Sequence, residues 1–209
     1  SDLPPNEVTG NLPRSVHRDI MAIVPNSRPR QTREETQVIL NQHLISGLGQ
    51  VVLVGVRGYY KDSMGKPGVN DRDVYDDALF VISSDANGVP DRYQSFNFNT
   101  DPSRHYGTKL AMLDPGVYEF YKGDHHIGTP KAYKALRPYP EGKRLPCTRD
   151  GVKSTCANTN IHKGGNNVTG SAGCQTLPAS QYTEAMMQTI YPQMSKYGQK
   201  TIKYILIEK

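Results

Sequence analysis

Val51-Val52-Leu53-Val54-Gly55-Val56 is the stretch that decides the fold class. It is a short apolar run, rich in β-branched valine and too short for a helix, so it predicts a buried strand. Three further strands are expected downstream. Ala78 to Ile82 repeats the apolar pattern. Gln94 to Asn99 alternates, with Phe96 and Phe98 on one face. Gly116 to Tyr121 is the third. The segments between them carry turn chemistry, as in Asp85-Ala86-Asn87-Gly88 and Asp114-Pro115-Gly116. Upstream, Thr32 and Glu35 form a capping box before Val38, Ile39, Leu40, Leu44 and Ile45 at helical spacing, with Gly47 as the stop. Downstream, a helix is expected from Pro178, ended or kinked at Pro192. A last strand, Thr201 to Ile207, should tie down the end. The polar segment from Lys122 to about Asn158 shows little period and reads as a loop. Residues 1–31, with five prolines among arginines, read as an extended arm, and residues 32–209 as one domain. The class is therefore α+β, mainly β sheet with a few flanking helices.

Composition narrows the partners. No run of ~18 apolar residues is present, which excludes a membrane-spanning helix. No basic-then-apolar leader opens the chain. The net charge is +5 and the basic residues are dispersed, with no zinc-finger or RNA-recognition signature, so nucleic acid is not expected as a partner. Tyrosine (13) outnumbers phenylalanine (4), so many rings keep a polar tip. Three cysteines are too few for a disulfide scaffold: Cys147 and Cys156 can pair, and Cys174 is left over.

Residues 156–177, CANTNIHKGGNNVTGSAGCQTL, concentrate the chemistry. A cysteine nucleophile needs a base, oxyanion donors and a tight backbone. His162 is the candidate base and Cys174 the candidate nucleophile. Their spacing fits a strand, a glycine-rich turn and a return. Gly170 and Gly173 permit sharp geometry, and the N–H groups of Gly173 and Cys174 are candidate oxyanion donors. The helix expected after Pro178 would depress the thiol pKa if the sulfur faced its N-terminus. Asn158, Asn160 or a backbone carbonyl would accept the second ring N–H of His162.

The elements Ile161-His162-Lys163-Gly164-Gly165 and Ser171-Ala172-Gly173-Cys174-Gln175 resemble the active-site signature of the L,D-transpeptidase (YkuD-like) catalytic domain. The resemblance covers about twenty residues. It implies a β fold of that type, Cys174 as nucleophile, His162 as base, Gly173 shaping the oxyanion site and Ser171 supporting the loop. It favours a carbonyl as the acceptor for His162 and implies bacterial peptidoglycan as substrate, with no cofactor and no metal. Ala172 stands where the family usually has histidine or a similar residue, and Thr176 where it usually has arginine. Peptide hydrolysis of the phage-endolysin kind is therefore expected ahead of cross-linking. Such an enzyme would be a monomer made in the bacterial cytoplasm and acting at the wall. Ser171, Gln175, His126 and Arg57 are the expected substrate contacts, Arg57 replacing the missing arginine. Two other classes compete. One is a zinc peptidase using His125, His126, His162 and Cys174, although no H-E-x-x-H is present. The other is a non-enzymatic wall-binding or phage structural protein.

Overall fold

The structure, a computed structural model, describes residues 23–103, 106–107 and 110–209. The first 22 residues of the expected arm lie outside the described residues. The class is α+β and mostly sheet. Its strands are β1 (Gln50–Arg57), β2 (Asp77–Ser84), β3 (Pro90–Phe98), β4 (Met112–Leu113), β5 (Gly116–His125), β6 (Tyr133–Pro138), β7 (Leu145–Arg149), β8 (Val152–Cys156), β9 (Ile161–Lys163), β10 (Gln175–Leu177) and β11 (Thr201–Glu208). Eight strands form one sheet in the order β10-β9-β6-β5-β11-β1-β2-β3, and β4-β7-β8 form a second. The large sheet curls until its edges touch. Just past β3, Asn99 exchanges two 2.9 Å backbone hydrogen bonds with Thr176 of β10.

The central strands are apolar on both faces because both faces are covered. Along β1, Val51 and Leu53 enter the core inside the curl, whereas Val52, Val54 and Val56 enter a second core under α1 (Arg33–Gln42). β11 sits between β1 and β5, parallel to the first and antiparallel to the second. Gly55 has a packing reason: a Cβ there would collide with the Tyr204 hydroxyl.

The expected Thr32 cap forms, with Glu35 paired to the Thr32 hydroxyl and not to its backbone N–H. Thr32 Oγ1 accepts the Glu35 N–H at 3.1 Å and donates to the Glu35 carboxylate. The helix stops earlier than Gly47, because the chain turns at Leu44 with φ +56° and leaves that side chain 94% exposed. After Pro178 the chain forms α2 (Ala179–Tyr182), a π-wound stretch (Thr183–Ile190) and α3 (Tyr191–Lys196). Pro192 does not end it. The Tyr191 N–H reaches back to the Met186 carbonyl, and Pro192, lacking an N–H, falls where the pitch changes.

Two further departures from expectation matter, and the possible cysteine pairing is formed. The stretch read as a long loop holds the end of β5 and all of β6, β7 and β8. Cys147 and Cys156 are disulfide-bonded and staple β7 to β8. Residues 23–31 lie against the loop after β1 and against β3: Tyr60 of that loop and Tyr93 and Ser95 of β3 donate to the carbonyls of Ser27, Gln31 and Pro29.

Candidate active site

β9 and β10 are parallel neighbours in the register Ile161↔Gln175, His162↔Thr176, Lys163↔Leu177. Strand alternation sends Ile161, Gln175 and Leu177 to the core and turns His162 and Thr176 to the other face. Cys174 extends that alternation one residue before β10, where the Gln175 N–H takes the Asn160 carbonyl at 2.9 Å. The strand, turn and return expected from the spacing are therefore formed; alternation turns Cys174 and His162 the same way, but among the described residues no hydrogen bond joins them, and the S–H goes to Asn158.

The connecting loop is held from behind. The Tyr75 hydroxyl donates to the Gly165 carbonyl at 2.5 Å, and the Ser103 N–H to the Ser171 carbonyl at 2.6 Å. Ser171 then clamps the turn: its hydroxyl donates to the Cys174 carbonyl at 2.6 Å and accepts the Gly173 N–H at 3.0 Å. Gly173 has φ +144°, and a Cβ there would crowd the Ala111 carbonyl at 3.2 Å, so glycine is needed for the turn itself. Its N–H is committed to Ser171. Among the described residues the Cys174 N–H has no partner, so of the two candidate oxyanion donors it is the one left uncommitted.

His162 is 5% exposed and oriented by backbone. Its Nδ1–H donates to the Lys163 carbonyl at 2.9 Å, so the acceptor is a carbonyl and Nε2 carries the free lone pair. The His125 ring stacks on it at 3.8 Å and 10°, and the Asn160 amide donates to His125 Nδ1 at 3.1 Å. Burial holds the His162 pKa down to about 4. Burial first, then the neighbouring His162 and His126, holds His125 down to about 3. Both rings are neutral at neutral pH.

Cys174 is half-buried, and its thiol donates to the Asn158 carbonyl at 3.2 Å. Burial pushes the thiol up to about 11. The expected lowering by a helix N-terminus does not occur: β10 intervenes before the short α2, and the partner of the S–H is a carbonyl. The resting pair is thus a neutral thiol and a neutral imidazole, not an ion pair.

A cleft of about 420 Å³ opens beside the sulfur, lined by Cys174, Gly173, Asn158 and, from the disulfide-stapled hairpin, Arg144 and Arg149. Several expected substrate contacts do not reach it. Ser171 is buried and spends its hydroxyl on the turn. Gln175 is buried on the core face, where its side-chain oxygen accepts from the Tyr204 hydroxyl at 2.8 Å. Arg57 is 1% exposed, and its guanidinium donates to Thr100 and to the Leu113 carbonyl. These three are structural. His126 is exposed, at φ +57°, with its ring 4.2 Å from that of His125. The zinc set does not converge: the one group of three or more possible metal ligands among the described residues is Asp76, Asp77 and Asp101.

Two site residues escaped sequence analysis. Arg137 on β6 faces the same side. It donates to the Asp124 carbonyl at 3.1 Å and the Asn158 side chain at 3.4 Å, pairs with Glu141, and its charge opposes the rise of the Cys174 pKa. Tyr133, four residues earlier, shares the Lys163 carbonyl with His162. Their signal was the alternation of Tyr133, Ala135 and Arg137. No family model, no curated protein and no solved structure matches this chain.

Proposed function

We propose that the protein is a cysteine peptidase of bacterial peptidoglycan, built on an L,D-transpeptidase-like catalytic domain and acting in the manner of a phage endolysin. The observation that carries this reading is a cleft-facing Cys174 thiol on the same face as an imidazole whose Nδ1–H is pinned by the Lys163 carbonyl. Because the thiol is held high and the imidazole low, a standing thiolate is not available. His162 Nε2 takes the S–H proton as sulfur attacks the scissile carbonyl carbon. The Cys174 N–H receives the developing oxyanion, with Arg137 supplying positive charge nearby. The C–N bond breaks, the amine leaves with the proton from His162, and an acyl-enzyme remains. Water, deprotonated by the same nitrogen, then releases a carboxylate and restores the thiol.

Arg144 and Arg149 in the cleft suit the carboxylates of wall stem peptides. Hydrolysis is favoured over cross-linking because position 176 is a buried threonine bonded to Asn99. It offers no arginine to hold an acceptor strand.

The test is mass spectrometry of purified muropeptides after incubation. Wild type should release new amine and carboxyl termini. Cys174→Ala should fall to background, and His162→Ala by at least about a hundredfold, with unchanged melting of the Cys174→Ala protein. Full activity of folded Cys174→Ala removes the mechanism, and new cross-links in place of new termini would make the enzyme a transpeptidase.

A further inference from the structure

Behind the catalytic turn, Asp76, Asp77 and Asp101 bring ligand oxygens within 4.8 Å of one another, and all three residues are buried. Arg57 Nε lies 3.6 Å from Asp101 Oδ1, and the Arg72 charge also acts on Asp101. Both Asp77 oxygens have donors, Oδ1 the Gly58 N–H and Oδ2 the Thr100 N–H and hydroxyl, which leaves Oδ1 one lone pair. The other two are each served on one oxygen only. Asp76 Oδ2 takes the Asp71 N–H at 2.8 Å, but its Oδ1 is buried without a donor. Asp101 Oδ1 takes the Asn70 amide at 3.1 Å, but its Oδ2 is buried without a donor. The oxygen of that same Asn70 amide is the third buried acceptor left unserved.

Unserved buried acceptors are costly. Three of them, gathered around three buried carboxyl groups, suit a cation. We propose that Asp76, Asp77 and Asp101, with the Asn70 side-chain oxygen, bind a divalent cation of the calcium type. The donors are all oxygen, which selects a hard ion, and a set drawn from the protein itself suits Ca²⁺ better than Mg²⁺, which keeps its waters. The ion ties three segments together: the 58–76 loop, the start of β2 and residues 99–103. The last of these bonds the catalytic turn directly, through Ser103 to Ser171 and through Asn99 to Thr176. Binding therefore stiffens the wall behind Cys174.

The test uses the full chain stripped with EDTA, followed by calorimetric titration and thermal melting with CaCl₂ and with MgCl₂. One saturable Ca²⁺ site is expected. The midpoint should rise by roughly 5–10 °C at a hundredfold excess over Kd, with Mg²⁺ at least about tenfold weaker. Asp76→Asn and Asp101→Asn should abolish the shift. Should either fail to fold, Asn70→Ala, on the loop, should still weaken Ca²⁺ about tenfold. Cys174→Ala should bind Ca²⁺ as wild type does, so the ion site and the peptidase reading fail separately. No heat and no melting shift with Ca²⁺ on wild type would overturn the proposal, as would a shift undiminished in the aspartate variants.

Discussion

The two halves of the eight-stranded sheet differ in what covers them. In the half made of β11, β1, β2 and β3, helix α1 closes one face and the curled core closes the other, and β11, β1 and β2 are apolar on both sides. In the half made of β5, β6, β9 and β10, one face enters the core with Phe120, Leu136, Ile161 and Leu177. The other presents His125, Arg137 and His162. Polar groups can be concentrated there because the first half supplies the burial that holds the molecule together. Stability and the proposed chemistry are thus divided along the sheet, and the division can be tested.

The largest effect should come from the covered half. Leu53→Ala removes a wholly buried side chain and should cost about 2–5 kcal/mol, read by denaturant unfolding. Activity per folded molecule should stay at the wild-type level at low temperature. A selective loss of activity without a loss of stability would break the division.

The site half should carry an acid sensitivity of its own. His162 titrates near 4 when folded and near 6.5 when unfolded. Below pH 6.5 the unfolded chain takes up a proton that the folded state refuses. The stability this group contributes is present above that pH and is lost as pH falls through 4. Relative to wild type, His162→Gln should flatten the stability profile over this window by on the order of 2 kcal/mol. Parallel profiles for the two proteins would show that the imidazole is not held neutral by burial.

The smallest effect belongs to the rim of the covered half. Thr32→Ala removes the cap of α1 and should cost about 1 kcal/mol, again by denaturant unfolding, with muropeptide release unchanged. A drop in release would mean that α1 reaches the site.

The same division explains what was legible. Strands β1, β2 and β11 were visible because burial on both faces writes an apolar run into the sequence. The β7–β8 hairpin was not, because its outward residues Val152 to Ser154 are exposed and a disulfide replaces the hydrophobic alternation. One signal was present there. Asp150-Gly151, both at positive φ, joins the strands in the register Arg149↔Val152, as an Asp-Gly hairpin turn does. Arg137 hid because a charged residue in a short strand looks like loop until its partners, Asp124 and Asn158, are known.

From the sequence alone came the strand-rich class, the capped first helix and the glycine-rich turn that separates a histidine from a cysteine. Each of these is a local pattern of period or spacing. Only the tertiary structure decided that Arg57 and Gln175 belong to the interior, that Arg137 joins the site, and that Asp76, Asp77 and Asp101 share one buried pocket. The reason is that whether a charged or polar side chain is buried depends on partners from distant segments, as Arg57 depends on Thr100 and Asp101, and no local period records them.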